Sequence, residues 1–143
     1  MFTSNKKTKG ITLAEVLFSA AIMALVVTGV LVVFVQAVDM SKRINYEYNA
    51  TNIAKSRMER ARSIKATNGF CFLSDLGEID TAVNSSGASE ATGNFKRTTA
   101  VTANYNGDSR LTLVNVSVVY KYKGEWKDGI AVEVATVFTN VEY

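Results

Sequence analysis

The residues whose types and spacing could do chemistry stand near the start of the chain, in Lys6-Lys7-Thr8-Lys9-Gly10-Ile11-Thr12-Leu13-Ala14-Glu15. A cut after Gly10 would free an amine at Ile11. Glu15 then lies four residues from a positive charge and, in a helix, on the same face. It also falls in the first turn, where the helix dipole favours a carboxylate. In low dielectric such an amine and carboxylate attract strongly, within one chain or between neighbours. Without a partner the carboxylate is costly: about 2.5–3.5 kcal/mol at the centre of a spanning helix, and less near its end, where Glu15 sits.

Other chemistries fall away on composition. The 143 residues include no histidine and one cysteine, Cys71. Serine–histidine, cysteine–histidine and histidine–metal sites are therefore excluded, as are an internal disulfide and a thiolate cluster. Neither a metal nor a cofactor is expected. Between Phe70 and Phe72-Leu73, Cys71 reads as a small buried hydrophobe. The formal charge of +3 belongs to Lys6, Lys7 and Lys9, because the rest of the chain carries 13 basic and 13 acidic side chains. The basic head orients a precursor, and the balanced remainder predicts no nucleic-acid partner.

The elements that position this motif follow from hydropathy. From Val16 to Val38 there is no charged side chain, and within Val16 to Val35 Ser19, Thr28 and Gly29 are the interruptions. About 20 such residues span about 30 Å as a helix, the thickness of a bilayer's hydrocarbon. A secretory signal peptide has an apolar core of about 7–15 residues and then a cleavage site, which this longer run does not match. A plain signal anchor explains the lysines, with the N-terminus cytoplasmic. It does not explain Glu15, nor Gly10 followed by Ile11-Thr12-Leu13.

At these residues the sequence resembles the type IV pilin superfamily, which includes type II secretion pseudopilins and competence proteins. The matching elements are the basic leader, Gly10, Ile11-Thr12-Leu13, Glu15 five residues after the junction, and the apolar run. Ile11 departs from the family's usual Phe, and the Pro common in the family's apolar helix is missing. The resemblance implies an α+β fold, with a long helix packed on a small antiparallel sheet. It implies cleavage between Gly10 and Ile11 by a prepilin peptidase, which also methylates the new amine. It implies an assembly role for Glu15 beside Thr12 and Leu13, with other pilin or pseudopilin subunits, an inner-membrane assembly platform and membrane lipid as partners.

Past Val38 the helix is expected to continue to about Thr67, about 85 Å from Ile11. Met40, Ile44, Tyr48, Thr51, Ala54, Met58 and Ala61 fall on one apolar stripe. Lys42, Asn45, Asn49, Asn52, Ser56, Arg60 and Ser63 form a polar face, and Glu47 is an exception inside the stripe. Asn68-Gly69 reads as the stop. The segment "AKSRMERARS" (54–63) reads as a solvated face with a Lys55–Glu59 pair. Its A-x-S-R-M-E pattern resembles minor pilins and minor pseudopilins.

The resulting division is a leader at 1–10, a transmembrane half-helix at 11–38 and an extracytoplasmic head at 39–143. The head comprises an amphipathic helix at 39–67, a variable loop at 68–94 and a sheet at 95–143. "NSSGASEATGN" (84–94) has the composition of a surface loop. Phe95 to Ala103 reads as a weaker strand. Val114, Val116, Val118, Tyr120 and Tyr122 alternate with Asn115, Ser117, Val119 and Lys121, and a second alternation runs from Ile130 to Phe138. Asn106-Gly107-Asp108 and Lys123-Gly124 read as turns. Three strands in a meander need a cover, which the amphipathic half-helix supplies. Tyr120 and Tyr122 read as core, and Trp126 as cover for the sheet edge.

Three functions are compatible with these residues. The leading one is a structural subunit, of the minor class, of a type IV pilus or type II secretion pseudopilus. It would be made in the inner membrane and then assembled into an extracytoplasmic filament in the periplasm or at the cell surface. The alternative is a pilus-tip minor pilin for adhesion or DNA uptake. A tethered enzyme is the weakest, because no phosphate loop and no carboxylate pair at catalytic spacing accompany the missing histidine.

Overall fold

The computed structural model describes residues 12–127 and 132–140. One long helix, α1 (Leu13–Asn68), is followed by a 3-10 segment (Phe70–Leu76) and five strands. The strands are β1 (Glu78–Val83), β2 (Phe95–Ala103), β3 (Leu111–Tyr122), β4 (Glu125–Trp126) and β5 (Val132–Thr139). The chain divides into two compact units, 1–41 and 42–143, and α1 contributes residues to both.

In the first unit the described residues from Leu13 onward are helical, and their large apolar side chains are exposed from Leu13 through Met40. An 18-residue window reaches a mean hydropathy of 2.7, and none of it is buried against other parts of the protein. The hydroxyls of Ser19 and Thr28 donate to the carbonyls of Glu15 and Ala24 at 2.7 and 2.8 Å. Their polar hydrogens are therefore satisfied within the helix, so both residues suit an apolar surrounding.

In the second unit the sheet runs β1-β2-β3, with β4 and β5 sharing the far edge of β3, all antiparallel. Inward-facing side chains follow the period of two. Thr112, Val114, Val116, Val118 and Tyr120 are buried along β3, and Phe95, Arg97 and Thr99 along β2. Val132, Val134 and Thr136 of β5 are half-buried in the same phase, and Phe138 is buried. Ala50, Ile53, Ala54, Met58 and Ala61 form the buried face of α1 and share one core with Leu73, Leu76, Val83, Phe95 and the β3 valines. Alanine at three of the five helical positions adds little bulk to that face.

The helical stripe differs from the expected one in its upper half. Ala54, Met58 and Ala61 are buried as expected, whereas Met40, Ile44 and Tyr48 are exposed. Their place is taken by Ile53, Ala50 and half-buried Tyr46. For Ile44 and Tyr48 the cause is the helical period, which sets them about 80° and about 120° round the helix from Ala54; Met40 keeps the phase of Met58 but belongs to the first unit. Of the expected polar face, Asn49 is half-buried and the other six residues are exposed. The Asn68-Gly69 stop holds, with Gly69 at φ +100° just past the helix end.

Residues 68–94 contain more order than a loop. The 3-10 segment has three residues per turn, which puts Phe70, Leu73 and Leu76 on the inner side and Cys71 and Phe72 outside. Cys71 is thus exposed rather than buried. Strand β1 then pairs with β2, with a register shift between Glu78 and Thr81 and Asp80 at φ +46°. The sheet therefore has five strands, not three. At Gly93 a Cβ would lie 2.2 Å from the Val83 carbonyl oxygen, so only glycine lets the loop return past β1. The Lys123-Gly124 turn has φ of +54° and +91° and joins Tyr122 to Glu125, the two-residue hairpin whose twist suits its strands.

Candidate functional site

The N-terminal motif is described from Thr12. Gly10, Ile11, Lys6, Lys7 and Lys9 lie outside the described residues, and so does the expected ion pair with an Ile11 amine. Thr12 stands just before the first residue of α1. Its carbonyl accepts from the amides of Glu15 and Val16 at 3.0 and 3.2 Å, and its Oγ1 accepts weakly from the Glu15 amide at 3.4 Å. Thr12-Leu13-Ala14-Glu15 thus has the spacing of a capping box, a signal that the sequence carries and that the reading above did not use. Glu15 lies in the first turn of α1, and Leu13 and Glu15 are exposed. The start of the helix is fixed locally, with both side chains left outward for other contacts.

The second unit holds two charged constellations that the sequence reading did not find. The first joins helix to sheet. Glu78 of β1 sits between Arg57 of α1 and Arg97 of β2, with side-chain exposures of 14, 11 and 9%. Arg57 Nε lies 3.2 Å from Glu78 Oε1. Arg97 grips the same carboxylate with Nε on Oε1 and with Nη2 on Oε2 at 3.1 Å. Thr99 Oγ1 donates to Glu78 Oε1 at 2.9 Å. Each guanidinium also reaches backbone: Arg57 Nη2 donates to the Leu76 carbonyl and Arg97 Nη1 to that of Gly87, both at 2.9 Å. Burial pushes the Glu78 carboxyl up, but the Arg97 and Thr99 hydrogen bonds and the Arg57 charge outweigh it and hold it below the usual carboxylate range. Burial draws the Arg57 guanidinium below its ordinary value.

The segment 54–63 is therefore not simply a solvated face. Arg57 turns inward, and Glu59 pairs with Arg62 instead of forming the expected Lys55–Glu59 pair. The available signal was phase. Arg57 falls between Ala54 and Ala61 on the buried side of α1, and Arg97 alternates with Phe95 and Thr99 on the inner side of β2.

The second constellation explains Glu47. Its Oε1 accepts from Tyr120 Oη at 3.2 Å and from Lys127 Nζ at 3.4 Å, and Arg43 Nε lies at 3.3 Å. Burial raises its carboxyl, yet the bonds from Lys127, Arg43 and Tyr120 together set it below the usual range. Beside it, Tyr46 stacks on Tyr120 at 5.6 Å and meets Phe95 and Tyr122 at 5.9 and 6.0 Å. Tyr120 is buried and Tyr122 half-buried, as expected. Trp126 pairs across the hairpin with Lys121 and remains 36% exposed. The Lys96 ammonium lies 4.7 Å from its ring centre and that of Lys121 5.9 Å.

Among families of known proteins, the model of the prokaryotic N-terminal methylation motif matches residues 5–31. That stretch contains the leader lysines, Gly10, Ile11, Thr12, Leu13 and Glu15. No curated protein and no solved structure matches the chain. The apolar helix and the antiparallel sheet packed on its second half form an α+β fold that is consistent with the pilin fold. The motif marks a type IV pilin-like, or prepilin-like, N-terminus. The motif implies processing by a prepilin peptidase and assembly with other pilins, and the apolar helix suggests membrane anchoring.

Proposed function

We propose that this protein is a structural, non-catalytic filament subunit of the minor class, serving a type IV pilus or a type II secretion pseudopilus. The observation that carries the reading is the methylation motif set directly on an apolar helix whose side chains are exposed from Leu13 to Val38. Lys6, Lys7 and Lys9 hold the precursor's N-terminus in the cytoplasm. The peptidase cuts between Gly10 and Ile11 and methylates the amine, which keeps its positive charge. The assembly platform then lifts the helix from lipid into the filament. Releasing about a dozen large apolar side chains to water would cost tens of kcal/mol by area, so the subunit passes directly from lipid to protein contacts. Glu15 registers each arrival by pairing with an Ile11 amine.

The test uses sheared filaments from cells carrying the intact gene and a Glu15→Leu variant. The intact chain should be recovered in the filament fraction at a low ratio to the principal subunit, as quantified by mass spectrometry. The variant should remain in the membrane fraction, since losing a costly charge does not impair insertion. Equal recovery of both in filaments would remove the registering role of Glu15. Absence of the intact chain from filaments would overturn the subunit reading.

A further inference from the structure

We propose that the N-terminal end of the second unit docks on an anionic phospholipid surface, with Trp126 at the headgroup level. Cations concentrate there. Lys42 and Arg43 open the unit's helical segment, Lys121, Lys123 and Lys127 surround the β3–β4 hairpin, and Lys96 reaches Trp126 from β2. Among the described residues of that end, Glu47 and Glu125 are the carboxylates, with half-buried Asp39 just ahead of Lys42 in the chain, and Glu47 is already engaged by Arg43, Lys127 and Tyr120. The chain beyond the leader has as many acidic as basic side chains, so this is segregation of charge and not a generally basic protein.

The aromatic residues fit the same occupant. Trp126 is partly exposed between two ammonium groups, and Tyr122 lies under Lys123 at 5.4 Å. Tryptophan and tyrosine, each with an apolar body and a polar handle, favour the membrane interface, and lysines beside them meet lipid phosphates. Covalent distance supplies the remaining constraint. Arg43 follows Val38, the last residue of the uncharged run, by five residues, and that much chain reaches at most about 18 Å. Whatever path the chain takes, this end stays within reach of a bilayer that holds the run, which gives a high effective concentration of headgroups. A nucleic acid is favoured less, because single strands are held by successive stacking platforms, and Tyr122 is half-buried under Lys123, which leaves Trp126 as the exposed ring of this hairpin.

The inference rests on the apolar helix lying in a bilayer, and the experiment separates the two. The mature-length chain is reconstituted into vesicles of phosphatidylcholine alone, or of phosphatidylcholine and phosphatidylglycerol in equal parts. Flotation reads anchoring. Trp126, the one tryptophan in the sequence, reads docking through its emission and its quenching by acrylamide and by brominated lipid. The expected result is flotation in both, with a blue-shifted, acrylamide-protected Trp126 in the anionic vesicles alone. High salt should reverse the shift, since screening shortens to about 3 Å at 1 M. Lys121→Gln with Lys123→Asn, the asparagine chosen to suit the left-handed turn position, should weaken docking about five-fold per charge. A chain that fails to float overturns the anchoring. A chain that floats with the same Trp126 signal in both vesicles overturns docking alone. Docking also falls if lipid leaves Trp126 unchanged while an oligonucleotide shifts it in a lysine-dependent way.

Discussion

The two parts of α1 share a secondary structure and owe it to different forces. From Leu13 to Ser41 the helix has no core of its own: its apolar side chains face outward on every side, and its hydroxyls are satisfied by its own carbonyls. From Lys42 to Asn68 the helix is held by one narrow face of alanines, Ile53 and Met58, and by a guanidinium, Arg57, that reaches a carboxylate on the sheet. The first part must find its apolar partner outside the chain, in lipid or in other subunits. The second carries its partner with it. The difference teaches that one continuous helix can be stable in two solvents, provided that charge is kept to the ends of one part, at Glu15 and Asp39, and buried in pairs in the other.

The largest expected effect concerns the first part. Gly10→Val places a β-branched residue at the junction, and processing should stop. The measurement is the length of the membrane-associated chain on a gel, with a mature-length band refuting the cleavage site. Unit two should be unaffected, so Trp126 fluorescence in detergent should match that of the wild type.

Next in size is Glu78→Gln, which leaves Arg57 and Arg97 buried without their counter-charge. Breaking a buried pair costs about 3–5 kcal/mol. Denaturant titration in micelles should show the Trp126 transition moving to lower denaturant, with the residual helical signal of the apolar part unchanged. The same carboxylate sets a pH dependence. Its folded value lies below the ordinary one, so its contribution is full above the usual carboxylate range and is lost as pH falls through the folded value. The wild type should weaken on acidification, and Glu78→Gln should show a flatter profile. An equally steep profile in the variant would place the acid sensitivity elsewhere.

Gly93→Ala tests packing without charge. The added Cβ meets backbone, the Val83 carbonyl, which cannot swing aside. Overpacking of this kind costs about 1–3 kcal/mol. The same Trp126 transition measures it, and a neutral result would show that the loop return at residues 84–94 can shift freely.

What was legible in the sequence follows the same division. The apolar run, the methylation motif, the Asn68-Gly69 stop and the alternations of β3 and β5 are dense, repeated signals with few competing readings. Strand β1 is six residues long with a register shift inside it, too short for its period of two to stand out from the polar loop. Ile44 and Tyr48 mimic a buried stripe because a count by three and four drifts round a helix over many turns, whereas Met40 is in phase with Met58 and is exposed as part of the first unit. Arg57, Glu78 and Arg97 were illegible as a set because charged residues read one at a time default to solvent. Their pairing depends on the sheet's register, which brings Glu78 opposite Thr99 and places Arg97 two residues away on the same inner face.

The smallest expected effect lies where the second part of α1 begins. Tyr120→Phe keeps the ring that stacks on Tyr46 and removes the hydroxyl that donates to Glu47. Glu47 retains Arg43 and Lys127, so no charge is left alone, and the cost should be that of one hydrogen bond, about 0.5–1.5 kcal/mol. The direction of the acid response is the sharper readout. Tyr120 is among the groups that hold the Glu47 carboxyl below its ordinary value, and its hydroxyl no longer favours the carboxylate in the variant. Glu47 should therefore protonate at higher pH in the folded variant, so the acid weakening it contributes should be smaller and complete at a higher pH in Tyr120→Phe than in the wild type. Identical acid profiles would mean that Arg43 and Lys127 alone govern Glu47, and that the tyrosine stays at this end of the core for its ring alone.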